Sequence, residues 1–97
     1  MLRVELSPAA ELDLADIWMH IAKDNRQAAN RVLDLVERRM QSIARFTKIG
    51  AACPEIADDV RCYWAGNYGI FYRVKPAVVE IARVLHGARD IPAVFRQ

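Results

Sequence analysis

The spacing of apolar residues changes period along this chain, and each change marks an element. Leu2-Arg3-Val4-Glu5-Leu6 alternates apolar and charged positions, as a half-buried strand does. Ser7-Pro8 ends it, because Ser7 suits a helix N-cap and Pro8 the first helical position. Leu14, Ile17, Trp18 and Ile21 then recur at spacings of three and four, which predicts a helix from Pro8 to Ala22. Glu11, Asp13, Asp16 and His20 fall mainly off that stripe, and Glu11 and Asp13 favour the positive end of the helix dipole. Lys23-Asp24-Asn25-Arg26 reads as a short connection, with Asp24 and Gln27 spaced as a capping box. Ala29, Val32, Leu33, Val36, Met40, Ile43 and Ala44 predict a second helix to about Phe46, and Gly50 is expected to end it in a left-handed conformation. Two amphipathic helices so closely joined form an antiparallel hairpin.

Residues 50–59 hold Gly50, Cys53-Pro54 and Asp58-Asp59 and read as a surface connection. Beyond them the period falls to two. Residues 60–65, 68–75 and 78–85 are predicted strands, separated by the turns Gly66-Asn67 and Pro76-Ala77. Alternation sets Arg61 and Tyr63 opposite Cys62 and Trp64, and Phe71, Arg73 and Lys75 opposite Ile70, Tyr72 and Val74. A sheet with one dry face and one basic face is the expectation. Ile91-Pro92-Ala93-Val94-Phe95 is a short apolar tail, a turn or brief helix docked on the body. The fold class is therefore α+β: an N-terminal strand at a sheet edge, an antiparallel helix hairpin, then a three-stranded antiparallel meander with both helices on one face.

Composition narrows the class. The 97 residues, 54% apolar and 27% charged, suit one domain over residues 1–97 with a single core. No apolar run approaches the roughly 18 residues of a membrane span, and no signal core follows a basic N-terminus, so a cytoplasmic location is expected. Cys53 and Cys62 lack metal-ligand or disulfide-framework spacing and read as reduced thiols; no metal or cofactor is expected. The formal charge of +2 names no partner, but it is unevenly spread. Positive charge belongs to the second helix and the last strands, while the first 25 residues are acidic. Arg38, Arg39 and Arg45 complement the negative end of their helix.

Three segments in order, Leu12-Asp13-Leu14-Ala15-Asp16-Ile17-Trp18, Gly69-Ile70-Phe71-Tyr72-Arg73-Val74 and Arg83-Val84-Leu85-His86-Gly87-Ala88-Arg89-Asp90, resemble the RelE/ParE superfamily of bacterial toxins, the ParE branch most closely. The order of elements is similar too, so the resemblance covers nearly the whole chain. It implies the toxin of a type II toxin–antitoxin system, neutralised by a ParD-like antitoxin encoded beside it. ParE-type members are described as poisons of DNA gyrase that act by binding. RelE-type members instead cut messenger RNA on the ribosome. In that branch a basic residue commonly follows the tyrosine that opens the middle strand, and a tyrosine stands in the tail; here those positions hold Gly69 and Phe95. A nuclease would have to rely on Arg61, His86 and Arg89.

The resemblance thus implies gyrase inhibition without catalysis, with a ribosome-dependent endoribonuclease and an inactive co-repressor that only binds antitoxin as alternatives. Candidate target contacts are Arg61, Tyr63, Arg73, Arg83 and Arg89, with Trp64 and Phe95 as further apolar anchors. Arg83 has an alternative, an internal pair with Glu80 or Asp90, and His86 another, the cap of a strand end. A disordered acidic antitoxin tail would suit Trp18, Arg31, Arg38 and Trp64; core packing is the other reading of Trp18.

Overall fold

The alternating start forms strand β1, Arg3–Leu6, and the two predicted helices follow as α1, Pro8–Ala22, and α2, Arg26–Arg45. A computed structural model describes residues 1–96. Ser7 caps α1 as expected, its Oγ accepting from the Ala10 N–H at 3.0 Å. The cap of α2 is Asn25 rather than Asp24: its side chain accepts from the Ala28 N–H at 3.0 Å. Both residues are good cap formers, and the chain enters α2 one residue later than the capping-box spacing implies.

Residues 50–59 are more ordered than a plain connection. Ala51–Ala52 forms strand β2, antiparallel to β3, Val60–Ala65, with Ala51 opposite Cys62. Gly50 is not left-handed; Gly66, at φ 60°, holds the positive φ found among the described residues. Gly66-Asn67 is the turn from β3 to β4, Tyr68–Val74, and a first central Gly with positive φ matches the twist of a hairpin. Gly50 is needed for closeness instead: a Cβ there would sit 2.7 Å from the Cys62 carbonyl oxygen and 2.8 Å from the Tyr72 Oη.

β5, Val78–His86, completes one five-stranded sheet in the order β1-β5-β4-β3-β2, with β1 parallel to β5 at one edge. Both helices cover the same face. Ala10, Val36, Met40 and Ile43 pack there on Ile70, Tyr72, Val79, Ile81 and Val84. The other face is not the basic surface that alternation suggests. Val60, Cys62, Phe71 and Leu85 form a second apolar cluster, closed by Val94 of helix α3, Ile91–Phe95, and flanked by Cys53, Ile56 and Ala57. The expectation fails because β4 is apolar on both faces, so each face needs cover.

A bulge redirects β5. Phe71 pairs with Arg83 and Tyr72 with Ile81, which leaves Ala82 as the extra residue. β1 ends opposite Ile81, so the open edge beyond it falls to α1 and its cap. There Ser7 donates its N–H to the Ile81 carbonyl at 2.9 Å and its Oγ–H to the Ala82 carbonyl at 2.7 Å.

Candidate functional site

Asp13 takes over the β5 edge where Ser7 leaves it. The residue is 8% exposed, and its carboxylate accepts from the Val84 N–H at 2.9 Å and from Arg83 Nε and Nη2 at 2.8 Å each. The Arg83 guanidinium is held above its ordinary range chiefly by these hydrogen bonds, against the opposing cost of burial. Its internal partner is therefore Asp13, not Glu80 or Asp90. Seventy residues separate the two, and the first and third segments of the resemblance meet at this pair.

Two more of the strand arginines are also engaged within the molecule. Arg61 donates from Nε to the Gly50 carbonyl at 2.8 Å and from Nη2 to the Lys48 carbonyl at 3.3 Å. Tyr72 secures the same loop, its hydroxyl donating to the Thr47 carbonyl at 2.7 Å and accepting from the Gly50 N–H at 3.0 Å. Arg73 meets Asp59 at 3.2 Å and Glu80 at 3.9 Å, and Lys75 meets Glu80 at 3.2 Å. Tyr63 is half-buried beneath the Arg39 guanidinium, 5.5 Å from its ring centre.

Arg89 differs from the other strand-segment arginines, because it is exposed and has no carboxylate within ion-pairing distance among the described residues. It stands between two clefts. One, about 500 Å³, lies on the α3 face and is walled by Trp64, Phe71, Cys62, Cys53 and Pro92. Trp64 is 45% exposed there and meets Phe71 edge-on, as Phe95 does from the other side. Burial, before any neighbouring group, pushes the Cys62 thiol up to about 12 and raises Cys53 as well. The other cleft, about 430 Å³, holds Asp16, His20, Tyr68 and His86 between α1 and the sheet.

His86 accepts the Ala88 N–H on Nδ1 at 2.9 Å, which leaves the neutral ring's proton on Nε2, and its ring meets Tyr68 edge-on at 5.1 Å. It thus caps the end of β5. His86 and Arg89 share a cleft, but Arg61 does not reach it. Arg61 pairs with Tyr72 and His86 with Tyr68, four residues away along β4, or about 13 Å. The three groups a nuclease would need are not brought together. Gly69 is buried and Phe95 packs on Phe71, so neither position offers a proton or a charge.

The helix hairpin carries other exposed features. Trp18 is half-buried, donates from Nε1 to Asn30 at 2.9 Å, and lies under Arg26. Leu12 and Met19, 66% and 61% exposed, form with Ala15 an apolar stripe on the outer side of α1 that sequence periodicity did not single out. Arg31 and Arg38 are exposed on α2. Among the described residues, no three His, Cys, Asp or Glu side chains are placed to hold a metal, and no helix is long and apolar enough to cross a membrane.

Residues 4–91 match the family model for the ParE toxin of type II toxin-antitoxin system, parDE. Toxin ParE1 of Mycobacterium tuberculosis is 33% identical over 91 residues, covering 92% of this chain and 93% of that protein. Toxin RelE3 of Caulobacter vibrioides is 31% identical over 87 residues, covering 89% and 95%. Among solved structures, a chain of the chromosomal ParDE TA system from P. aeruginosa superposes with a TM-score of 0.75 at 19% identity, covering 89% of this chain and 96% of its own; that likeness speaks to the fold. With a family model spanning most of the chain and relatives above 30% identity over nearly their full length, this chain belongs to the ParE toxin family of type II toxin–antitoxin systems.

Proposed function

We propose that this toxin inhibits DNA gyrase by binding, without chemistry of its own, and that an antitoxin encoded beside it neutralises it. The observation that carries the non-catalytic reading is the dispersal of Arg61 from His86 and Arg89, together with a glycine and a phenylalanine at the positions where nuclease relatives carry proton-transferring or cationic groups. General acid–base catalysis needs its groups within hydrogen-bond reach of one reacting centre. A binding toxin needs only an accessible surface. Arg89 and Trp64 supply a free cation and a half-exposed aromatic beside one cleft, the pairing common at binding hot spots. Arg61, Arg73 and Arg83 act in this reading by holding that surface in shape, because their guanidinium groups already have partners.

For the antitoxin, the apolar stripe of Leu12 and Met19 and the half-exposed Trp64 suit a segment that folds on binding, since such a segment needs apolar anchors. Trp18, half-buried and next to Met19 on α1, borders that stripe. Arg31 and Arg38 fit a tail less well, because the row they stand on holds no apolar side chain of its own. Expression of the chain alone and with its neighbouring gene tests both halves. The expected result is filamentous cells with DNA-damage signalling when alone, and normal growth when paired. Rapid loss of translation with cleaved messages would mean an endoribonuclease, and equal growth in both cases would exclude a toxin.

A further inference from the structure

Besides Arg89, a row of positive charge without ion-pair partners among the described residues lies on a helix rather than on the sheet. Arg31, Arg38 and Arg45 stand seven residues apart on α2, so each is turned only about 20° from the last and all three share one row. That row lies directly opposite the buried positions Ala29, Val36, Met40 and Ile43. All three arginines are exposed, and among the described residues none meets a carboxylate, although Asp34 lies three residues from Arg31 and four from Arg38. The helix dipole accounts for Arg45 alone, since its influence fades within the last turn.

We propose that this row is a contact surface for the phosphate backbone of duplex DNA. The chemistry of the row selects the occupant. It reads Gln27, Arg31, Asp34, Arg38, Gln41, Arg45, all exposed and all polar. The row itself holds no apolar or aromatic side chain; Phe46 and Met1 are exposed only at its end, in a cleft with Gln41 and Arg45, too few to anchor an amphipathic peptide along the row or to stack a single strand. A regular line of phosphates requires neither anchors nor stacking. Arg31 to Arg45 spans fourteen helical residues, about 21 Å, a length of duplex axis that carries about twelve phosphates on its two strands. Guanidinium groups pair well with phosphate oxygens, and contacts of this kind position a protein on DNA without reading its sequence. This surface goes beyond gyrase inhibition and does not depend on gyrase being the target.

The test is anisotropy of a labelled random-sequence 20-base-pair duplex titrated with the full chain, without gyrase or antitoxin, between 50 and 200 mM salt. Binding is expected at micromolar protein in 50 mM salt and should weaken steeply with salt. The variant carrying R31Q, R38Q and R45Q should lower the log–log salt slope by about 2.7 in magnitude, so that three contacts account for roughly 40-fold of the loss over that range. Lysine at the same three positions should retain the slope. Should the triple variant fail to fold, each single Arg→Gln change should remove about 0.9. No binding by the unmodified chain at 50 mM salt, or an unchanged slope in the variants, would overturn the proposal. So would displacement of the duplex by polyglutamate more readily than by unlabelled duplex, which would assign the row to an acidic protein.

Discussion

Asp13→Ala is expected to cost this toxin about 3 kcal/mol, more than its place on a solvent-facing helix would imply. Asp13 is 8% exposed and its carboxylate receives three donors, two from Arg83 and one from the Val84 amide. Removing one member of a buried pair costs roughly 3–5 kcal/mol, since the remaining charge is left without a partner. The lower end applies because the Arg83 side chain is 24% exposed and water can reach part of it. Val84 loses its edge acceptor in the same step, which belongs to that figure and is not added to it. With a urea slope near 1.5 kcal/mol/M, the midpoint followed by tryptophan fluorescence should fall by about 2 M. A cycle with Arg83→Met should return a coupling of about 2 kcal/mol, because the double variant leaves no lone charge. The effect should be flat from pH 6 to 9. A folded value raised above the guanidinium's ordinary one gives stability that is present throughout this range and lost only far above it. A midpoint shift below 0.3 M, or strict additivity in the cycle, would refute the reasoning.

The cysteines, the loop before β2 and the strand arginines give further expectations. Cys62 should alkylate at pH 8 about a thousandfold more slowly than a free thiol until the protein unfolds. A rise from 9.0 to about 12 also contributes stability that is present below pH 9 and lost as pH climbs towards 12; comparison with Cys62→Ala by urea titration at pH 8 and pH 10.5 isolates it. Gly50→Ala and Tyr72→Phe should each lower stability by about 1–3 kcal/mol, the first through the 2.7 Å approach to Cys62 and the second by stranding the Gly50 amide and Thr47 carbonyl. Arg61→Ala should lower the melting temperature, whereas Arg89→Ala should leave it unchanged while reducing growth inhibition. Equal thermal effects of these two would contradict the distinction drawn between them.

The helix hairpin and the long strands were legible because each carries a strong period. Val36, Met40 and Ile43 mark the buried side of α2 at helical spacing, and Gly66-Asn67 marks the turn that joins β3 to β4. The two alanines of β2 have no alternation to display, and long-range bonds hold them on β3: Tyr72 and Arg61 secure the loop before them, and the Cys53 N–H donates to the Val60 carbonyl after them. The bulge at Ala82 is invisible to a period-two reading, which would carry Arg83 to a sheet face. Its partner Asp13 is distant in sequence and sits off the expected apolar stripe of α1, so spacing pointed to nearer acids. The supposed basic face failed for a related reason. Alternation tells which residues share a face, but not that α3 will cover one face and leave Arg89 at its rim without an ion-pair partner among the described residues.

Gyrase supercoiling measured with purified components decides whether this toxin acts by binding gyrase. Relaxed plasmid, gyrase and this chain, with and without its antitoxin, should show supercoiling blocked by the toxin alone and restored by the antitoxin, while a parallel translation reaction proceeds with intact messages. Unimpaired supercoiling alongside cleavage of ribosome-bound transcripts would contradict it.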